Sequence, residues 1–187
     1  MGIMVMELLQ RMNPSQLILL DVHSDLIRRT FGPSVMELSA LPLFAEVLTK
    51  DPPDMIVSPD AGFGSGAKQL AKLLRPSPEI AIIEKVRPHP NVAIAKSLDG
   101  DVRGKNILIV DDIIDTGGTL SEAVKLVSLN GARSIRLAAT HGIFSKNARD
   151  RLLRLPVKEV LITNTLPQIR SSRIRILDIL PLMIKAV

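Results

Sequence analysis

Two adjacent carboxylates and a glycine pair follow an apolar run near the middle of the chain. Asp111 and Asp112 come directly after Ile107–Val110, and the segment Asp-Thr-Gly-Gly-Thr begins three residues later. Glycine lets a backbone approach phosphate oxygens, and the N–H groups of a turn and of a helix N-terminus attract anions. The pattern therefore predicts a phosphate loop between a buried strand and a helix. The predicted phosphate-binding residues are Asp115, Thr116, Gly117, Gly118 and Thr119.

The two carboxylates of this run point to a different part of the same ligand. Asp111 and Asp112 would repel a phosphate, but they suit hydroxyl donors or a hydrated magnesium ion. A phosphate on one side and paired carboxylates on the other describe a phosphorylated sugar with a vicinal diol. The alternative is an ordinary turn from strand to helix, with an Asp as the helix cap. The full succession of strand, acid pair, glycine pair and helix is more specific than such a turn, and it favours the ligand site.

The surrounding pattern predicts the elements that position this loop. Short apolar runs alternate with helical patterns, which is typical of a parallel α/β sheet flanked by helices, and ligands bind such sheets beyond the carboxyl ends of the strands. The predicted strands are Leu17–Leu20, Met55–Val57, Ile80–Ile83, Ile107–Val110, Ile135–Ala139, Val160–Ile162 and Ile174–Leu177. The predicted helical faces are Met4, Leu8 and Met12; Ala67, Leu70, Ala71 and Leu74; and Leu120, Ala123, Val124 and Val127. Residues 86–105 are predicted to form a long loop, and residues 1–187 a single domain.

Composition narrows the classes of function. Hydrophobic residues make up 46% of the chain and aromatic residues 2%, so branched aliphatic side chains must build the core. The absence of cysteine excludes a disulfide scaffold, a thiolate metal site and a cysteine nucleophile. The formal charge of +5 suits an anionic ligand, while the few aromatics argue against nucleic acid held by base stacking. No apolar run is long enough for a bilayer, so we expect no membrane span and a cytoplasmic protein.

The run Val-Asp-Asp-Ile-Ile-Asp-Thr-Gly-Gly-Thr-Leu resembles the phosphoribosyl diphosphate loop of the type I phosphoribosyltransferase fold, a Rossmann-like parallel sheet. It is most similar to the loop of ribose-phosphate pyrophosphokinases. Similar segments begin at Leu20, Leu41, Ser58, Glu84 and Thr140. The resemblance implies that Asp111 and the loop hold ribose 5-phosphate.

The same resemblance implies roles for residues outside the phosphate loop. His23 and Asp60 stand at positions that the family uses for magnesium and its ATP complex. Lys85 and Arg87 stand in the segment that matches the family's flexible catalytic loop. Taken alone, His23 would be a hydrogen-bonded core histidine, Asp60 a turn residue, and the two cations solvated surface charges.

The match also has departures. Phe63 stands where the family usually has glycine or a small residue, and Gly66 stands where a basic residue is common. The similarity covers the C-terminal half of the family's two α/β halves. It therefore implies a complete ribose 5-phosphate site and an incomplete site for the adenine of ATP.

The resemblance implies a magnesium-dependent transferase that moves the diphosphoryl group of ATP to ribose 5-phosphate, giving phosphoribosyl diphosphate and AMP. One alternative is a phosphoribosyltransferase that joins a nitrogenous base to the ribose. Another is a non-catalytic, associated or regulatory subunit. Apolar surface left by an absent half would favour a homo-oligomer, most simply a symmetric dimer.

Overall fold

The computed structural model describes residues 2–23, 35–86 and 95–186. In chain order its helices and strands are α1 (Gly2–Arg11), β1 (Leu17–Leu20), β2 (Val35–Leu38), α2 (Leu41–Leu48), β3 (Met55–Ser58), α3 (Gly64–Leu73), β4 (Glu79–Val86), β5 (Ala95–Leu98), β6 (Asn106–Ile114), α4 (Gly118–Leu129), β7 (Ser134–Gly142), α5 (Ala148–Leu153), β8 (Glu159–Thr163), β9 (Ile174–Leu177) and α6 (Leu180–Ile184). None of the helices in these ranges is long and apolar enough to cross a bilayer.

The chain divides into two compact units. The smaller unit consists of Met1–Ala40 and Ile179–Val187, and in it β1 and β2 pair in parallel. The larger unit is Leu41–Asp178. The predicted single domain over residues 1–187 stays a prediction.

A seven-stranded sheet organises the larger unit. Its strand order is β5-β4-β3-β6-β7-β8-β9, and its pairs are parallel except β4 with β5. The buried strand positions are mostly Ile, Val, Leu and Ala, because helices cover both faces of a parallel sheet. The predicted α/β fold with a mostly parallel sheet is confirmed. Since β3, β6 and β7 are parallel neighbours, their carboxyl ends meet at one edge.

The two predicted helices of the larger unit are also confirmed. Helix α3 buries Ala67, Leu70 and Ala71, and it ends at Leu73 ahead of Pro76. Helix α4 ends at Leu129, and Gly131 follows with a φ of 84°. This left-handed conformation is the common way to terminate a helix, and glycine adopts it without a steric penalty.

The structure corrects the prediction of a long loop over residues 86–105. Val86 closes β4, and Ala95–Leu98 form β5, which pairs antiparallel with β4. Antiparallel pairing gives this short polar segment hydrogen-bond partners that its weak periodicity did not reveal. Residues 87–94 lie outside the described part of the chain. The strand Val35–Leu38 was also missed.

Candidate functional site

The predicted phosphate loop lies at the carboxyl edge of the sheet, between β6 and α4. Strand β6 continues past the predicted end at Val110 as far as Ile114, so both carboxylates belong to the strand itself. The loop borders a cleft of about 110 Å³. Residues that line the cleft are Asp111, Ile113, Ile114, Asp115, Thr116, Gly117, Gly118, Thr119 and Leu120. The structure thus brings Asp111 and the whole predicted loop together.

Asp112 does not line this cleft. Successive side chains of a strand point to opposite faces, so Asp112 points away from the face that Asp111 presents. The residue is 8% exposed, whereas Asp111 is half-buried. The predicted role of Asp112 in holding ribose hydroxyls stays a prediction, and the pleat of β6 argues against direct contact from within the cleft.

The two glycines of the loop have different structural roles. Gly117 has a φ of 70°, in the left-handed region, and an added Cβ there would lie 3.4 Å from Ala148 Cβ and Leu152 Cγ. Gly118 is the first residue of α4, and the nearest atom to an added Cβ is the Thr116 hydroxyl at 3.7 Å. Gly117 therefore shapes the turn, while Gly118 leaves space on the cleft side.

This difference predicts separate outcomes for substitution of the two glycines. Gly117→Val is expected to lower the free energy of unfolding by roughly 2 kcal/mol, because a left-handed conformation costs an L residue about 1–2 kcal/mol and valine would also press on α5. Gly118→Val is expected to change it by less than about 1 kcal/mol, since its site has neither constraint. Urea unfolding of both variants measures the difference, and equal losses would contradict the assignment of the turn to Gly117.

Helix α5 supports the loop from behind. Ala148 and Leu152 contact the Gly117 turn, and Arg151 Nη1 donates a hydrogen bond of 3.2 Å to the carbonyl oxygen of Thr116. The contact of Arg151 with the loop was not predicted from the sequence. In the sequence Arg151 is marked only by its position beside Leu152 on a short helix. Its partner Thr116 lies 35 residues earlier, so no local pattern predicts the hydrogen bond.

Asp111 is the most perturbed acid of the site. Burial raises the pKa of Asp111 to about 7, and the charges of Asp112 and Asp60 add to the effect. The backbone N–H of Asp112 donates to Asp111 Oδ1 at 3.0 Å, which partly opposes this rise in pKa. A half-buried carboxyl among other acids is poised to exchange its proton for hydroxyl donors or a cation.

Asp111 is expected to make the ligand-free protein less stable as pH rises. Its folded pKa of about 7 lies above the unfolded value of about 3.9, so the folded state retains a proton that the unfolded chain has released. The resulting stabilisation is complete below about pH 4 and is lost as pH rises through about 7. Asp111→Asn should remove this dependence and raise the free energy of unfolding at pH 8 by roughly 1–4 kcal/mol.

Urea unfolding at pH 5 and pH 8 measures this effect, with Asp99→Asn as the control on an exposed acid. An Asp111→Asn protein with the wild-type pH slope would show that Asp111 is ionised well below neutral pH.

Asp60 lies just past the end of β3, which neighbours β6 in the sheet. Its Oδ1 accepts a hydrogen bond of 2.9 Å from Gly62 N, and its carbonyl accepts one of 2.6 Å from the Ser58 hydroxyl. The carboxylate thereby caps the short 3-10 helix Ala61–Phe63. Since β3 and β6 are parallel neighbours, Asp60 and Asp111 lie at the same edge of the sheet, and the charge of Asp60 contributes to the raised pKa of Asp111.

The two departures noted in this segment are linked in space. A Cβ at Gly66 would lie 2.4–2.7 Å from ring atoms of Phe63. The phenyl ring therefore occupies the space that a side chain at position 66 would need. A basic residue could stand at 66 only if the Phe63 ring moved.

The other predicted site residues have less structural definition. His23 is exposed and belongs to the smaller unit. The backbone of Lys85 lies in β4, in register with Lys96 of β5, and Arg87 lies outside the described residues. Within the described ranges, no group of three or more histidine or acidic side chains is arranged to hold a metal ion. The predicted roles of these residues stay predictions.

Comparison with known proteins relates this geometry to a family. A family model described as the phosphoribosyl synthetase-associated domain matches residues 68–187. The ribose-phosphate pyrophosphokinase of Aquifex aeolicus is 38% identical across 98% of this chain and 60% of its own length. The enzyme of the same name from Corynebacterium efficiens is 36% identical across 98% of this chain and 58% of its own length.

A solved structure agrees with these matches. The phosphoribosylpyrophosphate synthetase from Mycobacterium smegmatis has a TM-score of 0.88 and 34% identity, over 98% of this chain and 61% of its own chain. The chain spans about 60% of the length of the curated relatives it matches. Its predicted correspondence to the C-terminal half of such proteins stays a prediction.

Proposed function

Because the chain belongs to the ribose-phosphate pyrophosphokinase family, we propose that it takes part in making phosphoribosyl diphosphate from ribose 5-phosphate and ATP. The observation that carries the proposal is the cleft that joins the Asp115–Thr119 loop to the half-buried carboxyl of Asp111. Such a cleft suits a sugar phosphate whose phosphate group binds the loop and whose hydroxyl groups donate hydrogen bonds to the Asp111 carboxylate.

The loop binds the 5-phosphate through its backbone and hydroxyl donors. The N-terminus of α4 points partial positive charge at the cleft, and Gly118 leaves room for phosphate oxygens to come close. Arg151 holds the Thr116 carbonyl and so helps to fix the loop before the ligand arrives. Less ordering is then needed on binding, which favours affinity.

Asp111 orients the ribose. Hydroxyl donors stabilise its ionised form, so binding lowers a pKa that burial and two acids have raised. This exchange makes the carboxylate selective for a ligand that offers hydroxyl groups rather than a second anion. Asp112 acts on Asp111 from the other face of β6, by raising its pKa.

The proposed transfer forms one bond and breaks one. The anomeric oxygen of ribose 5-phosphate bonds to the β-phosphorus of ATP, the bond from that phosphorus to the α–β bridging oxygen breaks, and AMP leaves with this oxygen. The hydroxyl proton passes to solvent. Lys85 and Arg87 stabilise charge on the transferring group, and positioning and electrostatics supply most of the rate enhancement.

The donor set of the chain fits magnesium. The acids at the sheet edge are oxygen ligands of the kind that magnesium prefers, and magnesium usually keeps several waters and binds through one or two carboxylates plus substrate phosphates. A cage made by the protein alone is therefore not required. Asp60 would hold the ion, which when bound neutralises charge on the phosphates of ATP. The magnesium role that the resemblance implies for His23 stays a prediction.

The experiment that tests the proposal is AMP formation from ATP, measured with and without ribose 5-phosphate and magnesium. AMP that requires both additions supports diphosphoryl transfer. Product formation only with phosphoribosyl diphosphate and a nitrogenous base would select the phosphoribosyltransferase alternative. Binding of ribose 5-phosphate without turnover in either assay would select a non-catalytic subunit.

Self-association of the chain is a further prediction. Met4 and Leu8 lie on α1 and Met12 directly follows its end, and the three side chains are 59%, 55% and 76% exposed. Burial of such a row against a second copy removes apolar surface from water. Light scattering of the wild-type chain is expected to give about twice the monomer mass. The Leu8→Glu variant is expected to give the mass of one monomer.

The matched control for this prediction is Leu129→Glu, which changes a leucine that is 86% exposed on α4. The Leu129 variant should keep the wild-type mass. A wild-type monomer, or a dimer that survives Leu8→Glu, would contradict association through α1.

A further inference from the structure

A second cavity, of about 300 Å³, opens beside α5 in the larger unit. It shares no lining residue with the phosphate cleft. The residues on which its chemistry depends are Ile143, Phe144, Lys146, Arg149, Gln168 and Ile169. Its volume is at the lower end of the range of small-molecule sites, about 300–1,000 Å³. The cavity therefore has room for a small metabolite but not for a large cofactor.

One wall of the cavity is fixed in place by contacts to the end of β7. The Phe144 ring packs against Gly142, where an added Cβ would lie 2.8 Å from a ring carbon. Gln168 Nε2 donates a hydrogen bond of 2.7 Å to the carbonyl of Gly142. Phe144 N donates one of 3.0 Å to the carbonyl of Ile114. An aromatic ring and an amide thus stand in set positions before any ligand binds.

The cavity has an excess of positive charge. Lys146 and Arg149 line it, and Asp150 is the one acid among its described lining residues. Within the described part of the chain, neither cation forms an ion pair with a carboxylate. The guanidinium of Arg149 donates one hydrogen bond, of 3.1 Å, to the carbonyl of Arg170.

The Nε of Arg149 is buried, and it has no hydrogen-bond partner among the described residues. Buried donors are normally satisfied, and one that is not calls for an acceptor. Carboxylate and phosphate groups are the acceptors that best match a guanidinium, because they can receive two parallel N–H bonds. Arg149 lines the cavity, so its guanidinium can offer donors to such an acceptor there.

Apolar surface lies next to these cations. Ile143 is 49% exposed and Ile169 is 73% exposed, although both are large hydrophobic residues. Phe144, which is half-buried, lines the cavity together with them. Phe144 and Lys146 also have φ values of 52° and 56°, a region that side-chain-bearing residues rarely adopt. The lining thus offers cations and an apolar wall in one concave surface.

We propose that this cavity binds a small molecule that carries both an anionic group and a planar apolar group. Lys146 and Arg149 hold the anion, and the apolar group lies against Phe144, Ile143 and Ile169. The site is separate from the phosphate loop, and its existence does not depend on the reaction that the loop serves.

Phenyl phosphate is a suitable probe, because it combines the two groups in a molecule of the right size. Calorimetric titration of the full chain is expected to show saturable binding, tighter than that of inorganic phosphate or phenol alone. Lys146→Ala and Arg149→Gln should each weaken it by about tenfold, the loss expected for one charge-assisted hydrogen bond. Lys125→Ala removes an exposed cation of α4 that lines neither cavity, and it should leave binding unchanged.

A second variant separates this site from the phosphate cleft. Asp115→Ala combined with Gly118→Val alters the loop alone, and it should leave the tighter phenyl phosphate site intact. The proposal would be overturned if the loop variant lost phenyl phosphate binding while Lys146→Ala had no effect. It would also be overturned if inorganic phosphate bound as tightly as phenyl phosphate, or if phenyl phosphate binding did not saturate. If Arg149→Gln fails to fold, Lys146→Ala still tests the proposal. The Lys146 ammonium makes no hydrogen bond among the described residues, so its removal should leave the fold intact.

Discussion

Ribose 5-phosphate binding is expected to be abolished when Asp115→Ala is combined with Gly118→Val. The valine side chain would enter the cleft where, in the proposed function, the backbone approaches phosphate oxygens. The nearest described atom beyond the adjacent residues and the helix backbone is the Thr116 hydroxyl, 3.7 Å from the added Cβ. The alanine removes an acid that lines the same cleft. A loss of at least about a hundredfold in affinity, or about 2.7 kcal/mol, is expected.

The fold is expected to survive this double substitution. Asp115 is exposed, and Gly118 has the dihedral angles of a helix residue, so neither position depends on special backbone freedom. The turn itself depends on Gly117, which the variant retains. Gly118→Val therefore introduces no backbone strain, and its expected effect on binding comes from the space that the valine side chain would fill.

Isothermal calorimetry with ribose 5-phosphate measures the effect, and thermal unfolding verifies the fold. Ser128→Val is the matched control, because it puts the same branched side chain on an exposed position near the far end of α4. Wild-type affinity in a folded double variant would contradict the assignment of the 5-phosphate to this loop. Loss of affinity in the Ser128 variant as well would indicate damage to the helix rather than to the site.

Features that depend on neighbouring residues were predictable from the sequence. The strand before the loop, the glycine turn and the helix after it lie within one continuous segment, and their side chains and dihedral angles are set locally. The loop and Asp111 accordingly line one cleft, as expected. The strand was expected to end before the acids, whereas it continues to Ile114, so Asp111 and Asp112 lie on opposite faces of it. The predicted role of Asp112 stays a prediction.

Features that depend on distant residues were not predictable. From the sequence, Arg136 would be taken for a solvent-exposed charge. In β7 it is only 5% exposed, and its guanidinium donates a hydrogen bond of 2.7 Å to the carbonyl oxygen of Asp51. Its partner lies 85 residues earlier, and no local pattern connects the two. The contact between Phe63 and Gly66 is different, because the residues are close in sequence. Only the geometry shows that the ring fills the space beside the glycine.

Lys85→Ala and Arg87→Ala are each expected to lower kcat by two orders of magnitude or more. Both residues follow the apolar part of β4, and Lys85 lies three residues past Ile82, which is in register with Ser58 at the end of β3. This places the Lys85 backbone at the edge of the sheet where Asp60 and the phosphate loop lie. In the proposed reaction the negative charge of the diphosphoryl group spreads over bridging and terminal oxygens during transfer, and cations there stabilise the transition state.

Affinity for ribose 5-phosphate should stay within about twofold of wild type in both variants, because in the proposed function the loop and Asp111 bind the sugar phosphate and these cations do not. Steady-state rates of AMP formation give kcat, and calorimetry gives the affinity. Lys72→Ala serves as the control on an exposed cation of α3. Wild-type kcat in both variants would make Lys85 and Arg87 ordinary charged residues without a catalytic role. A parallel fall in affinity and kcat would indicate that the cations bind the sugar phosphate. The assignment of substrate binding to the loop and of transition-state stabilisation to Lys85 and Arg87 would then be wrong.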